Sequence, residues 1–249
     1  MRLNGAVALV TGGSGGLGQR IVRALHQDGC QVAAAYLTSP HIAQPLAAEL
    51  SAGGPRVVAM RADVTDEAEI EALVARVLRE FGRLDILVND AAYNQWVAFP
   101  DLDALDAATW DRILDANLRG PFLLCRAAAP ALKASGRGRI VNISSVAGRR
   151  AAGSSIAYCV SKAALDHLTR CLALALAPDV LVNGVAPGLM DGTRMTANLD
   201  PAMAEQARHG TVLHRATDKD DVAEQVVTLC RTSSTTGQVV VVDAGRALP

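Results

Sequence analysis

The sequence lacks any long apolar run at its start. "MRLNGAVALVTGG" offers about six apolar residues before a glycine cluster, where a membrane-spanning helix needs ~20, and it has no cleavage region. It reads as a first strand. Charge of one sign is missing too: 24 basic residues against 25 acidic ones leave a formal charge of -1, with no run of like charge. That excludes a nucleic-acid footprint and a polybasic membrane patch, and favours a small, weakly charged partner. Cys30, Cys125, Cys159, Cys171 and Cys230 are odd in number, scattered and without C-x-x-C spacing. Free thiols in a reducing cytoplasm are expected, not a disulfide framework or a zinc site. The five histidines form no ligand pair at helical spacing, so no metal is expected. No linker, composition shift or internal repeat divides the 249 residues, and one domain is the default.

What is present is alternation. Apolar, β-rich runs recur at 6–11, 31–36, 56–61, 84–89, 138–144, 180–185 and 238–243. They are near-continuous, as strands covered on both faces should be. Helical patterns lie between them at about 17–28, 40–52, 66–81, 104–134, 156–177, 201–208 and 219–231. The expectation is an α/β doubly wound (Rossmann) parallel sheet of about seven strands with helices on both faces, over 1–249. In such sheets the ligand lies beyond the C-terminal strand ends, where strand order reverses.

The turn after the first run reads "VTGGSGGLGQR" and fits two glycine patterns. Gly13, Gly15 and Gly18 spell G-x-G-x-x-G, while Gly12, Gly16 and Gly18 spell T-G-x-x-x-G-x-G. Either lets backbone N–H groups and a helix starting near Gly16 face a pyrophosphate; a plain glycine turn is the alternative. The first frame expects an acidic residue about twenty positions on, holding the ribose hydroxyls. Tyr36, Leu37, Thr38 and Ser39 stand there instead, so a 2′-phosphate is not repelled.

"AYCVSKAAL" puts Tyr158 and Lys162 four apart on one helical face. At ~5 Å and a dielectric of ~20, an ammonium would stabilise a phenolate by about 3 kcal/mol, or two pKa units, bringing the tyrosine towards neutral-pH proton transfer. A chance pair on an exposed helix is the alternative. Ser144 and Ser145 end the "IVNISS" strand, where a hydroxyl can donate to a carbonyl oxygen or merely cap the strand. Asn117 is polar within an apolar helical pattern: a site residue, a helix kink or a satisfied core amide.

"TGGSGGLG", "ADV" at 62–64, "LVNDAA" at 87–92, Asn117, "IVNISS", "YCVSK" and "VNGVAPG" at 182–188 occur in an order and spacing that resemble the short-chain dehydrogenase/reductase family, in its single-domain 3-oxoacyl-ACP-reductase-like form. The likeness spans essentially the whole chain. It implies cofactor contacts at Gly12, Ser14, Gly16, Leu17 and Gly18, at Tyr36 and Thr38, at Asp63 and Val64 around the adenine, and at Asn89, Ala91, Tyr158, Lys162, Pro187 and Gly188. It implies a catalytic tetrad of Asn117, Ser145, Tyr158 and Lys162. Tyr158 would exchange the substrate proton, Ser145 would orient the reacting oxygen, Lys162 would also hold the nicotinamide ribose, and Asn117 would anchor a water. Gly13 and Gly15 become variable loop positions. Three departures stand out: N-N-A-G appears as Asn89-Asp90-Ala91-Ala92, Gly192 replaces a threonine usual after "PG", with Thr193 one place later, and Gly15 stands where NADP-preferring relatives often carry arginine.

The expected function is hydride transfer between NAD(P)(H), with NADP(H) ahead of NAD(H), and a carbonyl or secondary alcohol. The alternative is a non-catalytic nucleotide-binding sensor or scaffold; a sugar-nucleotide epimerase would need a longer C-terminal lobe. A substrate wall is expected at 92–103 and within 189–215. Trp96, Met190, Met195 and Met203 fit an adaptable apolar pocket or simply pack the lobe, and Asp191, Arg194 and His209 could read a polar substrate or be solvated surface. Ala/Leu-rich helices at 104–134 and 156–177 suggest a homo-oligomer, and the resemblance points to a tetramer.

Overall fold

A computed structural model describes residues 2–193, 196–197 and 200–247; Arg194 and Met195 lie outside the described residues. Seven parallel strands form one sheet in the order β3-β2-β1-β4-β5-β6-β7. They are β1 (Val7–Thr11), β2 (Gln31–Tyr36), β3 (Val57–Arg61), β4 (Ile86–Asn89), β5 (Gly138–Ile143), β6 (Val180–Pro187) and β7 (Val239–Val242). The helices are α1 (Gly18–Gln27), α2 (Pro40–Ser51), α3 (Glu67–Phe81), α4 (Ala107–Leu114), α5 (Gly120–Ala134), α6 (Ile156–Leu176), α7 (Pro201–His209) and α8 (Lys219–Arg231).

Strands β1 to β6 feed both faces. In β1, Ala8 and Val10 pack with Ile21, Val22 and Leu25 of α1 and Val226 of α8, while Val7 and Leu9 pack with Ile70 and Leu73 of α3 and Leu124 of α5. Burial on two sides explains why the strands carry no polar alternation. The helices are placed by local chemistry. In α3, Ile70, Leu73, Val74 and Val77 make the buried stripe, Asp66 accepts from the Glu69 N–H at 3.0 Å, and Gly82 stops the helix at φ 75°.

The expected single helix over 104–134 begins at 107 and is interrupted. Residues Asp115–Arg119 form a π-helical turn between α4 and α5, with Asn117 in it. The expected helix start near Gly16 falls at Gly18.

At the end of the sheet opposite the site, Asp85 is fully buried and accepts from the Val7 N–H at 2.8 Å, from Arg83 and from Arg137. Burial alone would raise its pKa, but these donors outweigh it and hold the carboxyl below the ordinary range. A depressed pKa adds stability above the unfolded value that is lost as pH falls through the folded one. Asp85→Asn is expected to cost about 2 kcal/mol in urea unfolding at neutral pH, with the gap to the parent narrowing in acid.

Strand order reverses between β1 and β4, and their C-terminal ends release the loops 12–17 and 90–106 side by side. Thr11 ties them: its hydroxyl accepts from the N–H groups of Asp90 and Ala91, both at 3.1 Å.

Candidate active site

A cleft of about 1900 Å³ opens over this reversal. Gly12, Ser14, Gly16, Leu17, Tyr36, Thr38, Asp63, Val64, Ala91, Ser145, Tyr158, Lys162, Pro187 and Gly188 all line it. Three expected site residues do not. Gly18 is buried beneath the loop, Asn89 donates to Asn142 Oδ1 at 2.8 Å and so ties β4 to β5, and Asn117 is fully enclosed. They shape the cleft from behind.

The loop is built for close approach. Gly12 has φ 69°, and a Cβ on Gly18 would lie 2.1 Å from the Gly12 carbonyl oxygen. A Cβ on Gly16 would lie 2.8 Å from the Gly192 carbonyl oxygen, so the segment after Gly188 folds back onto the loop. Gly192 itself has φ 65°, which accounts for glycine where threonine is usual. Gly13 and Gly15 are less crowded: added Cβ atoms would meet Ala34 and the Gly12 oxygen, each at 3.1 Å. A side chain is thus excluded at Gly18 and crowded at Gly13 and Gly15, and with the Gln19, Arg20 and Ile21 N–H groups taken by the Gly15 and Leu17 carbonyls, a ligand is met by the loop backbone and the positive end of α1. A dinucleotide pyrophosphate fits this cradle of bare backbone.

Asn117 owes its position to the π turn. Its Oδ1 accepts from the Tyr93 N–H at 2.8 Å, and its Nδ2 donates to the Tyr93 carbonyl at 2.9 Å and to Ser161 Oγ at 3.1 Å. Ser161 in turn donates to the Tyr158 carbonyl at 2.7 Å. The amide thus clamps the 90–96 segment onto α6, one residue before Lys162. Ser161 and Ser155, whose side chain accepts from the Tyr158 N–H at 3.2 Å as the α6 N-cap, went unmarked in the sequence. Ser155 was findable as a capping residue immediately before a helical run.

Ser145 accepts from the Ala147 N–H at 3.1 Å, and its side chain hydrogen-bonds Tyr158. Ser144 is buried and donates to the Lys162 carbonyl at 3.2 Å. Lys162 Nζ sits 5.8 Å from the Tyr158 ring centroid and donates to the Ile143 carbonyl at 2.8 Å.

Contrary to the expectation from spacing, Lys162 does not bring the Tyr158 pKa down towards neutrality. Burial pushes Tyr158 up to about 12, with the Ser145 bond working against it and Cys159 and Asp90 adding to it. Lys162 is itself lowered to about 8 by burial, opposed by Asp90 and Asp166. Desolvation outweighs the pairing inferred from helical spacing. The phenol is held protonated.

Around the outer cleft, Trp96 and Met203 are exposed and line it, while partly buried Met190 lines it and packs against the core. Asp191 and His209 are exposed and off the cleft wall; Asp191 pairs at 3.0 Å with Arg208, which does line the cleft, and His209 pairs with Glu205 at 3.0 Å. All five cysteines are free thiols. No described helix is long and apolar enough to cross a membrane.

A glycine cradle at the strand reversal, joined to a Ser/Tyr/Lys cluster, defines a nucleotide-dependent oxidoreductase of the doubly wound class. A family model described as Enoyl-(Acyl carrier protein) reductase matches residues 12–247. The protein named ketoacyl reductase 2 of the granaticin polyketide synthase of Streptomyces violaceoruber is 42% identical over 244 residues, 97% of this chain and 96% of the relative. Galactitol 2-dehydrogenase of Agrobacterium fabrum is 38% identical over 194 residues, 77% of this chain and 73% of that one. A short-chain dehydrogenase of Burkholderia cenocepacia, in complex with NADP, superposes at a TM-score of 0.90 with 36% identity, covering 99% of each chain. The chain belongs to the short-chain dehydrogenase/reductase family. It is an NAD(P)-dependent oxidoreductase acting on a carbonyl or secondary alcohol, and the reading as a non-catalytic sensor finds no support.

Proposed function

We propose that the enzyme reduces the keto group of an acyl-type substrate, with Tyr158 as proton donor and Ser145, Lys162 and Asn117 completing the catalytic set. The observation that carries this is the buried, protonated Tyr158 hydrogen-bonded to Ser145 on the cleft wall. The ketoacyl reductase name of a relative matched over nearly its full length supports the substrate class.

A bound nicotinamide dinucleotide supplies the hydride to the carbonyl carbon, or accepts it from the carbinol carbon in reverse. Gly12, Ser14, Gly16 and Leu17 would hold its pyrophosphate, Asp63 and Val64 its adenine, and Pro187 and Gly188 its nicotinamide. Ser145 holds the substrate oxygen, and Tyr158 gives it the phenolic proton. Burial makes the phenol a proton source that stays loaded through neutral pH, which suits reduction. The phenolate left behind faces the Lys162 ammonium and the Ser145 hydroxyl. Asn117 acts at one remove, fixing the 90–96 segment against α6. The residues 92–103 and 189–215 serve as the substrate lobe.

NADP(H) is the favoured cofactor. No carboxylate stands at 36–39, and α2 begins at Pro40 with Ser39 as an N-cap whose side chain makes no capping bond. That hydroxyl, at the positive end of α2, suits a 2′-phosphate, while the Ile42 and Ala43 N–H groups are taken by the Ser39 carbonyl. NADPH is expected to raise the melting temperature more than NADH at equal concentration; a larger shift with NADH reverses the assignment. The enzyme is further read as cytoplasmic and as a dimer or tetramer, its exposed Phe122, Val160 and Leu174 on α5 and α6 being the contact face. Light scattering reads that assembly.

The reaction is tested by following nicotinamide absorbance with NADPH against β-ketoacyl thioesters, polyols and hydrophobic ketones. Turnover is expected on the thioesters. Activity confined to polyols would reassign the substrate, and tight cofactor binding without any turnover would remove the catalytic reading.

A further inference from the structure

Asp90 is the site's unexplained group. The family's usual Asn is replaced by a carboxylic acid at the end of β4, and its carboxylate makes no hydrogen bond or ion pair among the described residues. Its position is specific. A Cβ added to Gly18 would lie 2.9 Å from Asp90 Oδ2, and one added to Gly12 would lie 3.1 Å from the same atom. The carboxylate is therefore lodged against the underside of the pyrophosphate loop, beside the first residue of α1. Asp90, Tyr158 and Lys162 line the same cleft, and the carboxylate is near enough to raise the pKa of both other groups.

Counting charges gives the electrostatic consequence. The positive end of α1 favours one anion, and a dinucleotide pyrophosphate brings its own. Lys162 and Tyr158 on α6 are the titratable groups facing Asp90, and the loop Gly12–Gly18 contributes no charged side chain. Lys162 donates to the Ile143 carbonyl, and no ion pair joins it to Asp90 among the described residues.

We propose that Asp90 gates dinucleotide affinity: ionised, its carboxylate repels the pyrophosphate across the glycine loop, and protonated, it admits it, so that binding takes up a proton at Asp90. This rests on the loop being the pyrophosphate site. Burial supports the idea by lifting the carboxyl to about 7, with Lys162 opposing, which puts the switch at physiological pH. Linkage sets the sign. A ligand that raises this pKa binds best below the free value and progressively less well above it.

The test is the dissociation constant of NADH and of NADPH for the parent and for Asp90→Asn, measured by calorimetry from pH 6 to pH 8. The two proteins are expected to bind alike at pH 6. At pH 8 the variant is expected to bind about fivefold more tightly, if binding lifts the carboxyl by about one pKa unit. Lys162 cannot imitate this. Losing the carboxylate lowers its pKa, which would weaken anion binding by the variant at pH 8. Asp90→Ala carries the same expectation and stands in if the Asn variant does not fold. Parallel pH profiles, or tighter binding by the parent at pH 8, overturn the gate while leaving the cofactor assignment intact. Absence of binding to either dinucleotide overturns both.

Discussion

Tyr158→Phe is expected to lower kcat for carbonyl reduction by about three orders of magnitude while leaving the dissociation constant for NADPH within about twofold. The ring remains, so the contacts that bury it at 8% exposure remain. Only the hydroxyl goes, and with it the proton that must reach the substrate oxygen as the hydride reaches carbon. No neighbour on the cleft wall replaces it: Ser145 is a far weaker acid, and Lys162 is directed to the Ile143 carbonyl. Single-turnover absorbance with saturating NADPH separates this from a binding defect. Turnover within tenfold of the parent would remove Tyr158 from the chemical step. The same buried phenol makes a directional statement. Oxidation requires the phenolate, so the alcohol-to-ketone rate of the parent should climb with pH while the reductive rate stays level near neutrality.

Gly18→Ala should weaken dinucleotide binding by at least about two orders of magnitude, although Gly18 does not face the cleft. Its added methyl would sit 2.1 Å from the Gly12 carbonyl oxygen and 2.9 Å from Asp90 Oδ2. A backbone oxygen cannot rotate away, so the loop must open, and its N–H groups lose their common aim. Gly15→Ala provides the contrast. There the new carbon meets one atom at 3.1 Å, a shift of a few tenths of an ångström suffices, and binding should fall by less than tenfold. Fluorescence titration with NADPH reads both. Equal losses would mean that the loop tolerates no side chain anywhere, not that Gly18 is its keystone.

The sheet was legible because strands covered on both sides show continuous apolar runs, and seven of them appear where seven strands lie. The break in the long helix was not. An Ala/Leu-rich stretch satisfies helical periodicity on either side of a π turn, and only the polar Asn117 hinted at it. The Tyr158–Lys162 pair was readable from spacing, but its electrostatics were not, since desolvation depends on what surrounds the pair in space. Asp90 was visible as a departure in "LVNDAA". Its pressure on Gly12 and Gly18 joins residues more than seventy positions apart, a distance no local pattern bridges.

The π turn at Asp115–Arg119 makes chain length itself a catalytic parameter. Wound as an ordinary α-helix, the same stretch would be one residue too long for its two ends. Each helical residue turns the rest of the helix by about 100°. Deleting one residue there would let the stretch close as an ordinary α-helix between the same two ends, with α4 and α5 keeping their faces, yet it would remove the bulge that turns Asn117 towards Tyr93 and Ser161. Insertions and deletions in this stretch are therefore more hazardous to the site than most substitutions in it.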